Sequence, residues 1–493
     1  MSGHVTALRY PTPPPKGGAL DPDGFSPSLP GRGWGGVRSS GVLLLLLTLL
    51  TSCETVLQPQ PVDLLVDELV LNEPNDVEPV RIGMYNALRG TAAPTIIVGD
   101  FTADYIQFNG TFTDYQELGT KRITAANGVA GALWGSLYRT IYVTNFMLEK
   151  LPTVTGVSEA TRKRVTAEAK FLRAWAYFIA TYTFGDVPLV TSTDQITNRN
   201  VGRTARATIL TAVLADYQAA LTDLPAVTSA STNAITNGTY ANQTTCRAAL
   251  ARFYLYQKNW AQAEQLAGQV IASGIYTLQP NYIDVITKDF TSESILEVGY
   301  ALSDDPGTGN FALNNLLVGR REVIPSNQLI VQLTAIQAGT RQQTIGFSTT
   351  NLRGNDNGWT VRKYGTASED NNNIVLMRLA EMYLIRAEAR AQQGRLTGTT
   401  GAIADLNVLR TRAKAANIAA TSQADVLLAV EQERVYELAF EGHRWFDLVR
   451  TGRAQAVMSA FSPNWQSTYE LWPIPQSEIQ QNPALAGKQN PGY

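Results

Sequence analysis

The stretch ELAFEGHRWFDLVRTG, residues 437–452, concentrates side chains that could do acid–base chemistry. Glu437, Glu441, His443 and Asp447 lie within eleven residues of each other, with arginines among them. A carboxylate beside a histidine can transfer protons when its pKa is tuned towards neutrality. The stretch is therefore either part of an active site or a charged cluster that holds helices in place.

Helical spacing favours the structural interpretation. Glu437 and Glu441 are four residues apart, so we expect them on one helical face, where like charges repel mildly. Arg434 and Arg444 are each three residues from one of these carboxylates and would compensate the charge. Gly442 is expected to interrupt the helix. The cluster is interpreted as architecture, and no catalytic residue is assigned to it.

The histidine count argues against metal chemistry. His4 and His443 are the only histidines among 493 residues, and His443 is expected to belong to the scaffold rather than act as a base. A catalytic zinc site usually needs two or three imidazoles, and Cys53 and Cys246 cannot replace them. We expect no metal and no cofactor. The formal net charge of −2 also lacks the basic stripe of a nucleic-acid-binding protein.

Two other motifs are interpreted as structural. Glu381, Arg386, Glu388 and Arg390 alternate in sign along EMYLIRAEAR, which a solvated or ion-paired helical face explains. Trp472 stands between apolar and proline neighbours in LWPIPQSEI and is expected to fill the core near the C-terminus. The prolines exclude a helix across that segment.

The N-terminal region is typical of an exported lipoprotein. The apolar run from Val42 to Leu50 is too short to span a bilayer, which takes about 20 residues, but suits the h-region of a signal peptide. It ends in Leu50-Thr51-Ser52-Cys53, which looks like a lipobox, the motif whose cysteine is acylated in bacterial lipoproteins. Residues 37–52 are thus predicted to be a signal peptide and Cys53 the lipidation site. The alternative is an ordinary signal peptide in which Cys53 is incidental.

Residues 1–36 are rich in proline and glycine and unusually long for the start of a signal peptide. Our hypothesis is that translation truly starts nearer Val37. A mature chain that begins at Cys53 contains one free thiol, Cys246, and no intramolecular disulfide. Residues 53–64 would form a lipidated tether, of which ten extended residues reach at most about 35 Å.

Paired helical patterns dominate the rest of the chain, and residues 65–493 are expected to form a single domain. Apolar residues recur at helical spacing in 132–151, and a second helix is expected to stop at Phe184-Gly185. Further pairs follow, the last beginning near Ala424, each on the 34–40-residue scale of tetratricopeptide-like hairpins. The predicted fold is mostly α. The scaffold comprises residues of about 130–185, 205–275 and 374–455.

Long, weakly periodic insertions separate these pairs. They cover residues of about 90–128 and 277–370 and are rich in threonine, asparagine, glycine and aromatic residues. Loops of this length inside a compact domain are usually functional. We expect them, with short strands, to form the ligand-binding side of the protein.

Four segments in order resemble landmark motifs of the SusD/RagB family. They are AEAKFLRAWAYFIATYTFGDVPLV, LMRLAEMYLIRAEARAQQG, ERVYELAFEGHRWFDLVRTGRA and LWPIPQSEIQQNPALAGKQNPGY. The resemblance implies helical hairpins on one side of the fold and ligand-binding loops on the other. It also implies a lipoprotein of the cell outer membrane that acts as a lid on a SusC/RagA-type TonB-dependent transporter.

A sugar site needs flat aromatic faces together with amide, carboxylate or guanidinium groups for the hydroxyls. Such residues cluster in the insertions, where the structural alternative for any single aromatic residue is a local loop core. Asp104 is the one position with a family parallel, since an acidic residue recurs near this point of the family. The predicted ligand-binding residues are Asp104, Tyr105, Phe108, Asn109, Phe112, Tyr115, Phe311, Trp359 and Arg362.

The resemblance implies a receptor, not an enzyme, that captures oligosaccharides at the cell surface and delivers them to the transporter. A second possibility keeps this architecture but binds oligopeptides, and the aromatic 101–115 loop favours sugar over peptide. A surface hydrolase is the third possibility. It would need two carboxylates about 5–10 Å apart beside a cleft, and no local motif selects such a pair.

Overall fold

Helices account for most of the computed structural model, which describes residues 71–227, 238–300, 312–350, 352, 354–365 and 373–493. The helices are α1 (Val77–Ile96), α2 (Thr113–Thr120), α3 (Gly128–Lys150), α4 (Glu159–Phe184), α5 (Gln195–Asn198), α6 (Arg206–Asp223), α7 (Gln243–Tyr256), α8 (Trp260–Ala272), α9 (Tyr282–Thr287), α10 (Asn327–Thr334), α11 (Leu379–Gln392), α12 (Ala402–Arg412), α13 (Gln423–Leu438), α14 (Arg444–Arg450), α15 (Ala454–Phe461) and α16 (Gln476–Gln481). The predicted mostly α fold is confirmed.

Short strands pair in antiparallel twos. They are β1 (Ile106–Phe108), β2 (Val187–Pro188), β3 (Arg203–Thr204), β4 (Ser294–Val298), β5 (Val323–Pro325), β6 (Ile345–Phe347), β7 (Trp359–Val361) and β8 (Ile374–Arg378). The pairs are β1–β5, β2–β3, β4–β8 and β6–β7. Since β5 also contacts β7, the β1–β5 and β6–β7 ribbons lie side by side.

Local capping explains where the scaffold helices begin and end. The side chains of Asn127 and Ser158 accept hydrogen bonds from backbone amides in the first turns of α3 and α4. Helix α4 ends at Phe184, as predicted, because Gly185 adopts the positive φ of 76° that terminates helices. Apolar residues at helical spacing in α3, among them Leu133, are buried.

The helices pack as a continuous series. Helix α3 packs against α4, α4 against α6, and α6 against α7. The series continues through α8, which contacts α11, and α11 in turn contacts α12 and α13. The hairpins α3–α4, α7–α8 and α11–α12 correspond to the predicted pairs, and α13 begins at Gln423, next to the predicted start of the fourth.

Helix α1 was not anticipated as a helix by the patterning. Its sequence contains Gly83, Gly90 and Pro94, all poor helix formers. Burial against α3 outweighs this weak propensity, and the helix continues directly into a π-helical segment at Ile97–Phe101. The first predicted insertion therefore starts inside a helix rather than in a loop.

The described residues belong to one compact unit, Val66–Tyr493. Trp472 lies in its core with no exposed surface, and its indole Nε1 donates to Thr102 Oγ1 at 3.1 Å. This placement confirms its predicted role. The predicted signal region 1–52, the lipidation site Cys53 and the tether lie outside the described residues.

Candidate ligand-binding surface

The carboxylates of residues 437–452 are ion-paired in the protein interior. Arg378, which is 2% exposed, donates from Nη1 to Glu437 Oε1 at 2.7 Å and from Nε to Glu441 Oε2 at 2.8 Å. Arg412 also pairs with Glu437, and Lys363 Nζ lies 2.5 Å from Glu441 Oε1. Burial alone would raise the pKa of Glu441, but Arg378 and Lys363 lower it to about 2. A group that remains ionised in this way is a poor proton donor, which supports the structural interpretation.

Two details of the prediction for this stretch were wrong. Helix α13 ends at Leu438, so Glu441 lies in the following turn and shares no helical face with Glu437. The compensating cations also differ, because Arg434 pairs with Asp447 and Arg444 with Asp104. Sequence proximity misidentified the partners, since Arg378 and Lys363 come from distant segments of the chain.

The turn before α14 is held by a buried acid. The Asp100 carboxylate accepts from the backbone amides of Gly442, at 2.7 Å, and Arg444, at 3.0 Å. Burial raises the pKa of Asp100 to about 7. Gly442 does interrupt the helical path, with a φ of 80°, and His443 is buried beside it. Burial lowers the pKa of His443 to about 4, so the imidazole is neutral at physiological pH.

The charges of EMYLIRAEAR are ion-paired, one of the two predicted explanations. Arg386 and Arg390 both contact Asp405 on α12. Glu381 binds Arg252 of α7, and Glu388 binds Arg450 of α14, each through two oxygens. These pairs link neighbouring helices of the scaffold. The side chains of the two partner arginines are little exposed, at 7% for Arg252 and 5% for Arg450.

Three of the predicted ligand-binding residues lie in the interior. Asp104 is 1% exposed, and both its oxygens accept from Arg444, at 2.9 and 3.1 Å. Tyr105 packs against Phe440 with ring centroids 5.8 Å apart, and Tyr115 is also buried. Their burial is at odds with direct ligand contact, because the surrounding core would have to open first.

Other predicted residues lie on the two adjacent ribbons. The side-chain Nδ2 of Asn109 donates to Arg321 O at 3.2 Å, and Arg321 Nη2 donates to Trp359 O at 2.9 Å. Arg321 also binds both oxygens of Asp356, at 2.6 and 2.7 Å. Asn357 Nδ2 donates to Pro325 O, at 2.9 Å, across the junction of the ribbons. The structure thus brings Asn109 and Trp359 into one hydrogen-bonded surface.

Phe347 and Trp359 form what we call the aromatic ridge. They are direct partners across β6 and β7, and their ring centroids lie 5.4 Å apart. Phe347 is 59% exposed, and Trp359 is partly exposed. Gly358, with a φ of 80°, permits this arrangement, because a Cβ there would lie 2.7 Å from the Phe347 ring. The ridge presents apolar ring surface to solvent on a hydrogen-bonded base.

Sequence reasoning missed Phe347. The sequence carries little signal for it, because IGF and WTV are separated by eleven residues, whereas a recognisable hairpin has a connection of about two to five residues. Arg362 is exposed but is separated from the ridge. Its amide continues the ladder to Thr344 O, and side chains alternate along a strand, so Arg362 and Trp359 fall on opposite faces of the ribbon.

A second turn, at Thr111 and Phe112, is held by hydrogen bonds to Glu322, the residue before β5. The Glu322 carboxylate accepts from the amides of Thr111 and Phe112, at 2.7 and 2.9 Å, and from Arg320 Nε at 3.0 Å. Burial opposes ionisation, yet these donors hold the pKa of Glu322 below its usual value. The Arg320 guanidinium lies 4.1 Å from the centroid of the Phe112 ring. Phe112 is half-buried, as is Phe108, while the predicted residue Phe311 lies outside the described residues.

A cavity of about 420 Å³, with the exposed Leu428 in its lining, lies between α13 and α14. Glu388, Glu431 and Asp447 are the carboxylates that line it, and each is ion-paired with arginine. Paired carboxylates have lowered proton affinity, as the low pKa of Asp447 beside Arg434 and Arg450 shows despite its burial. The carboxylates of this cavity are thus engaged by arginines of the scaffold.

The described part of the chain offers neither a metal site nor a membrane span. Across its ranges, no three side chains among histidine, cysteine, aspartate and glutamate are grouped to hold a metal ion. Within the same ranges, no helix is both long and apolar enough to cross a bilayer.

Comparison with known proteins relates this chain to one family along most of its length. The model of the SusD family matches residues 322–493, and a second model, described as starch-binding associating with outer membrane, matches residues 70–255. SusD-like protein P25 of Formosa agariphila is 25% identical, with 90% of this chain and 97% of that protein covered. The starch-binding protein SusD of Bacteroides thetaiotaomicron is 35% identical over 26% of this chain and 23% of its own length.

Solved structures agree with the sequence comparison. A laminarin-binding SusD-like protein superposes with a TM-score of 0.74 at 25% identity, covering 86% of this chain and 100% of that one. Surface glycan-binding protein A from Bacteroides fluxus has a TM-score of 0.73 at 21% identity, with 86% and 100% covered, and shows the shared fold. The segments matched by the two family models contain most of the scaffold helices, the β1–β5 and β6–β7 ribbons and the C-terminal core described above. This chain therefore belongs to the SusD/RagB family.

Proposed function

We propose that this protein captures oligosaccharides at the aromatic ridge and delivers them to a SusC/RagA-type TonB-dependent transporter for uptake. The observation that carries the proposal is the pairing of Phe347 with Trp359, ring against ring, on the solvent side of the ribbons. Aromatic rings supply rigid apolar area that suits the C–H faces of sugars. The laminarin-binding and surface glycan-binding relatives support a glycan as the ligand.

Polar groups beside the ridge would bind the sugar hydroxyls. The Arg321 guanidinium, on a side chain that is 20% exposed, is held next to Trp359 by the Asp356 carboxylate, whose side chain is buried at 1% exposure. The Asn109 side chain is fixed in the same network. Preorganised groups lose little conformational entropy when a ligand binds, which favours affinity. The scaffold charges contribute no comparable site, since their carboxylates are taken up by arginines.

Anchoring and transport complete the proposal. A lipid on Cys53 would hold the protein at the outer membrane, in keeping with the description of the family model that matches residues 70–255. Incorporation of radiolabelled palmitate into the wild-type protein, and its loss in Cys53→Ser, would support the anchor. Co-purification of a TonB-dependent transporter from detergent-solubilised outer membranes would support the partnership. Labelling that persists in the serine variant would contradict acylation at this position.

Isothermal titration of the purified protein with laminarin, soluble starch and a mixture of casein peptides tests the ligand class. We expect at least one glucan to bind, and Phe347→Ala or Trp359→Ala to weaken it about tenfold, equivalent to about 1.4 kcal/mol. Tyr254→Ala, at a half-buried tyrosine of α7, is the matched control and should bind normally. Binding of peptides alone would favour the oligopeptide alternative. Release of reducing ends by the protein alone would favour a hydrolase.

A further inference from the structure

A groove of about 490 Å³ is lined by residues near the end of the chain and lies at the C-terminal end of α2, whereas Phe112 lies at the N-terminal end of that helix. We call it the C-terminal groove and define it by Arg122, Asn464, Gln466, Tyr469 and Tyr493, which all line it. Its lining combines two aromatic rings with amide and guanidinium groups. This is the same chemistry that the aromatic ridge offers, on a separate part of the surface.

The two tyrosines are stacked. Their ring centroids lie 5.3 Å apart with an interplanar angle of 29°, and both residues are half-buried. Tyr493 Oη donates to Leu471 O at 3.1 Å, which fixes its ring. Gly492 has a φ of 98°, and a Cβ there would lie 2.6 Å from Thr468 Oγ1. The glycine thus allows Tyr493 to cross closely over the turn that carries Tyr469.

The polar side of the groove is also held in place. Arg122 Nη2 donates to Asn464 Oδ1 at 2.8 Å, and Asn464 Nδ2 donates to Thr120 O at 2.9 Å. Arg122 and Gln466 are exposed, and Asn464 is half-buried. Planar amide and guanidinium groups beside aromatic rings can bind hydroxyls while the rings contact the C–H face of a sugar.

Contacts through α2 connect this groove to the ribbons. Asn464 binds the carbonyl of Thr120, the last residue of α2. The preceding residue, Gly119, packs directly against β1, since a Cβ there would lie 2.6 Å from Phe108 Cβ. Phe112 precedes the first turn of the same helix, whose eight residues span about 12 Å. The groove and the ribbons therefore contact the same eight-residue helix.

We propose that the C-terminal groove is a second carbohydrate subsite, which binds the distal sugars of an oligosaccharide already held at the aromatic ridge. This inference rests on the proposed function and adds a length preference to it. Short oligosaccharides occupy the ridge alone. Longer ones gain affinity by stacking on Tyr469 and Tyr493 and by hydrogen bonding to Arg122.

Titration with glucose oligomers of two to eight units, prepared from laminarin and from starch, tests the subsite. For wild-type protein, affinity should rise with length until both sites are filled. Tyr469→Ala should leave the affinity for the shortest binding oligomer unchanged and lower that for the longest about tenfold. Arg122→Gln and Gln466→Ala, both at exposed positions, should lower it in the same length-dependent way. Tyr254→Ala serves again as the control.

The outcomes separate this inference from the proposed function. Equal affinity of wild type and all three groove variants for the longest oligomer would overturn the subsite while leaving the ridge intact. Loss of long-oligomer binding in the groove variants but not in Phe347→Ala would overturn the ridge as the primary site. The absence of binding by any oligomer to wild-type protein would overturn both. A double variant, Trp359→Ala with Tyr469→Ala, should bind the longest oligomer more weakly than either single variant.

Discussion

Arg378 Nη1 lies 2.7 Å from Glu437 Oε1, although the residues are 59 positions apart and both are buried. The same guanidinium binds Glu293 at 2.6 Å and Glu441 at 2.8 Å. One side chain at the end of β8 thereby joins the segment before β4, the end of α13 and the turn that follows it. The acidic cluster of residues 437–452 is the anionic half of this junction, and its role is to hold distant segments together.

Replacing Arg378 should destabilise the protein strongly. Arg378→Met removes the shared cation and leaves Glu293, Glu437 and Glu441 with fewer partners in the interior. Breaking a buried ion pair on one side costs about 3–5 kcal/mol. Urea unfolding followed by tryptophan fluorescence measures the change. Lys163→Met is the control, because the Lys163–Glu159 pair is exposed and should contribute at most about 0.5 kcal/mol. A loss below 1 kcal/mol for Arg378→Met would contradict the junction.

Acid should weaken the same junction. The pKa of Glu441 is about 2 in the folded protein and ordinarily 4.5, so its ionised form stabilises the fold above about pH 4.5. Ionisation of Glu441 contributes about 3 kcal/mol to the free energy of unfolding, and this contribution is lost as the pH falls from about 4.5 towards 2. Glu441→Gln should therefore destabilise the protein much more at pH 7 than at pH 3. An equal difference in the free energy of unfolding at the two pH values would argue against the charge as the cause.

The imidazole of His443 should titrate far below its usual range. Burial lowers its pKa to about 4 from 6.5, so the folded state resists protonation and loses stability as the pH falls from about 6.5 to 4. Residues 66–493 contain His443 as their single histidine, which gives one imidazole signal in a proton NMR titration. We expect a midpoint near pH 4. A midpoint near 6.5 would mean that the ring is solvated.

Asp104 should matter for stability and not for affinity. Asp104→Ala leaves the buried Arg444 without its bidentate partner, and we expect a loss of about 3–5 kcal/mol. The protein that remains folded at low temperature should bind glucan as wild type does, because Asp104 does not reach the surface. Calorimetric unfolding and titration on the same sample measure both quantities. Weakened binding with unchanged stability would place Asp104 in the ligand site instead.

Two glycines near the N-terminal end of the fold should respond oppositely to alanine. In Gly99→Ala the new Cβ would lie 2.1 Å from Gly442 O, and we expect a loss of about 3 kcal/mol from this overpacking. In Gly83→Ala, within α1, no atom other than those of the neighbouring residues and the backbone of α1 itself lies within 4 Å of the new Cβ. That substitution should stabilise the helix by about 0.5–1 kcal/mol. Thermal unfolding of the two variants compares them directly, and similar melting temperatures would contradict the close packing at Gly99.

Residues that act through local spacing were predictable. The pattern of α3, the glycine after Phe184 and the proline-flanked Trp472 each depend on neighbours in sequence, so helix bounds and core position follow from the local chain. For EMYLIRAEAR the sequence predicted a solvated or ion-paired face, and the structure has the ion-paired one. Which arginines or acids supply those partners was not predictable.

The candidate site was predicted less completely. The sequence indicated aromatic insertions, and Trp359 and Asn109 do lie in one surface, but Asp104 and Tyr105 belong to the core. Phe347 gains its importance only from its partner across a hairpin. Composition shows that a segment is rich in aromatic residues, but exposure depends on what packs over each ring.

The sequence by itself determined the helical character of the chain, the ends of several helices and the family resemblance, because propensity, capping and ordered motifs are local properties. Only the tertiary structure decided the partners of Glu437 and Glu441, the burial of Asp104 and the exposure of the aromatic ridge. Those features depend on segments far apart in the chain, which meet only when the whole core forms.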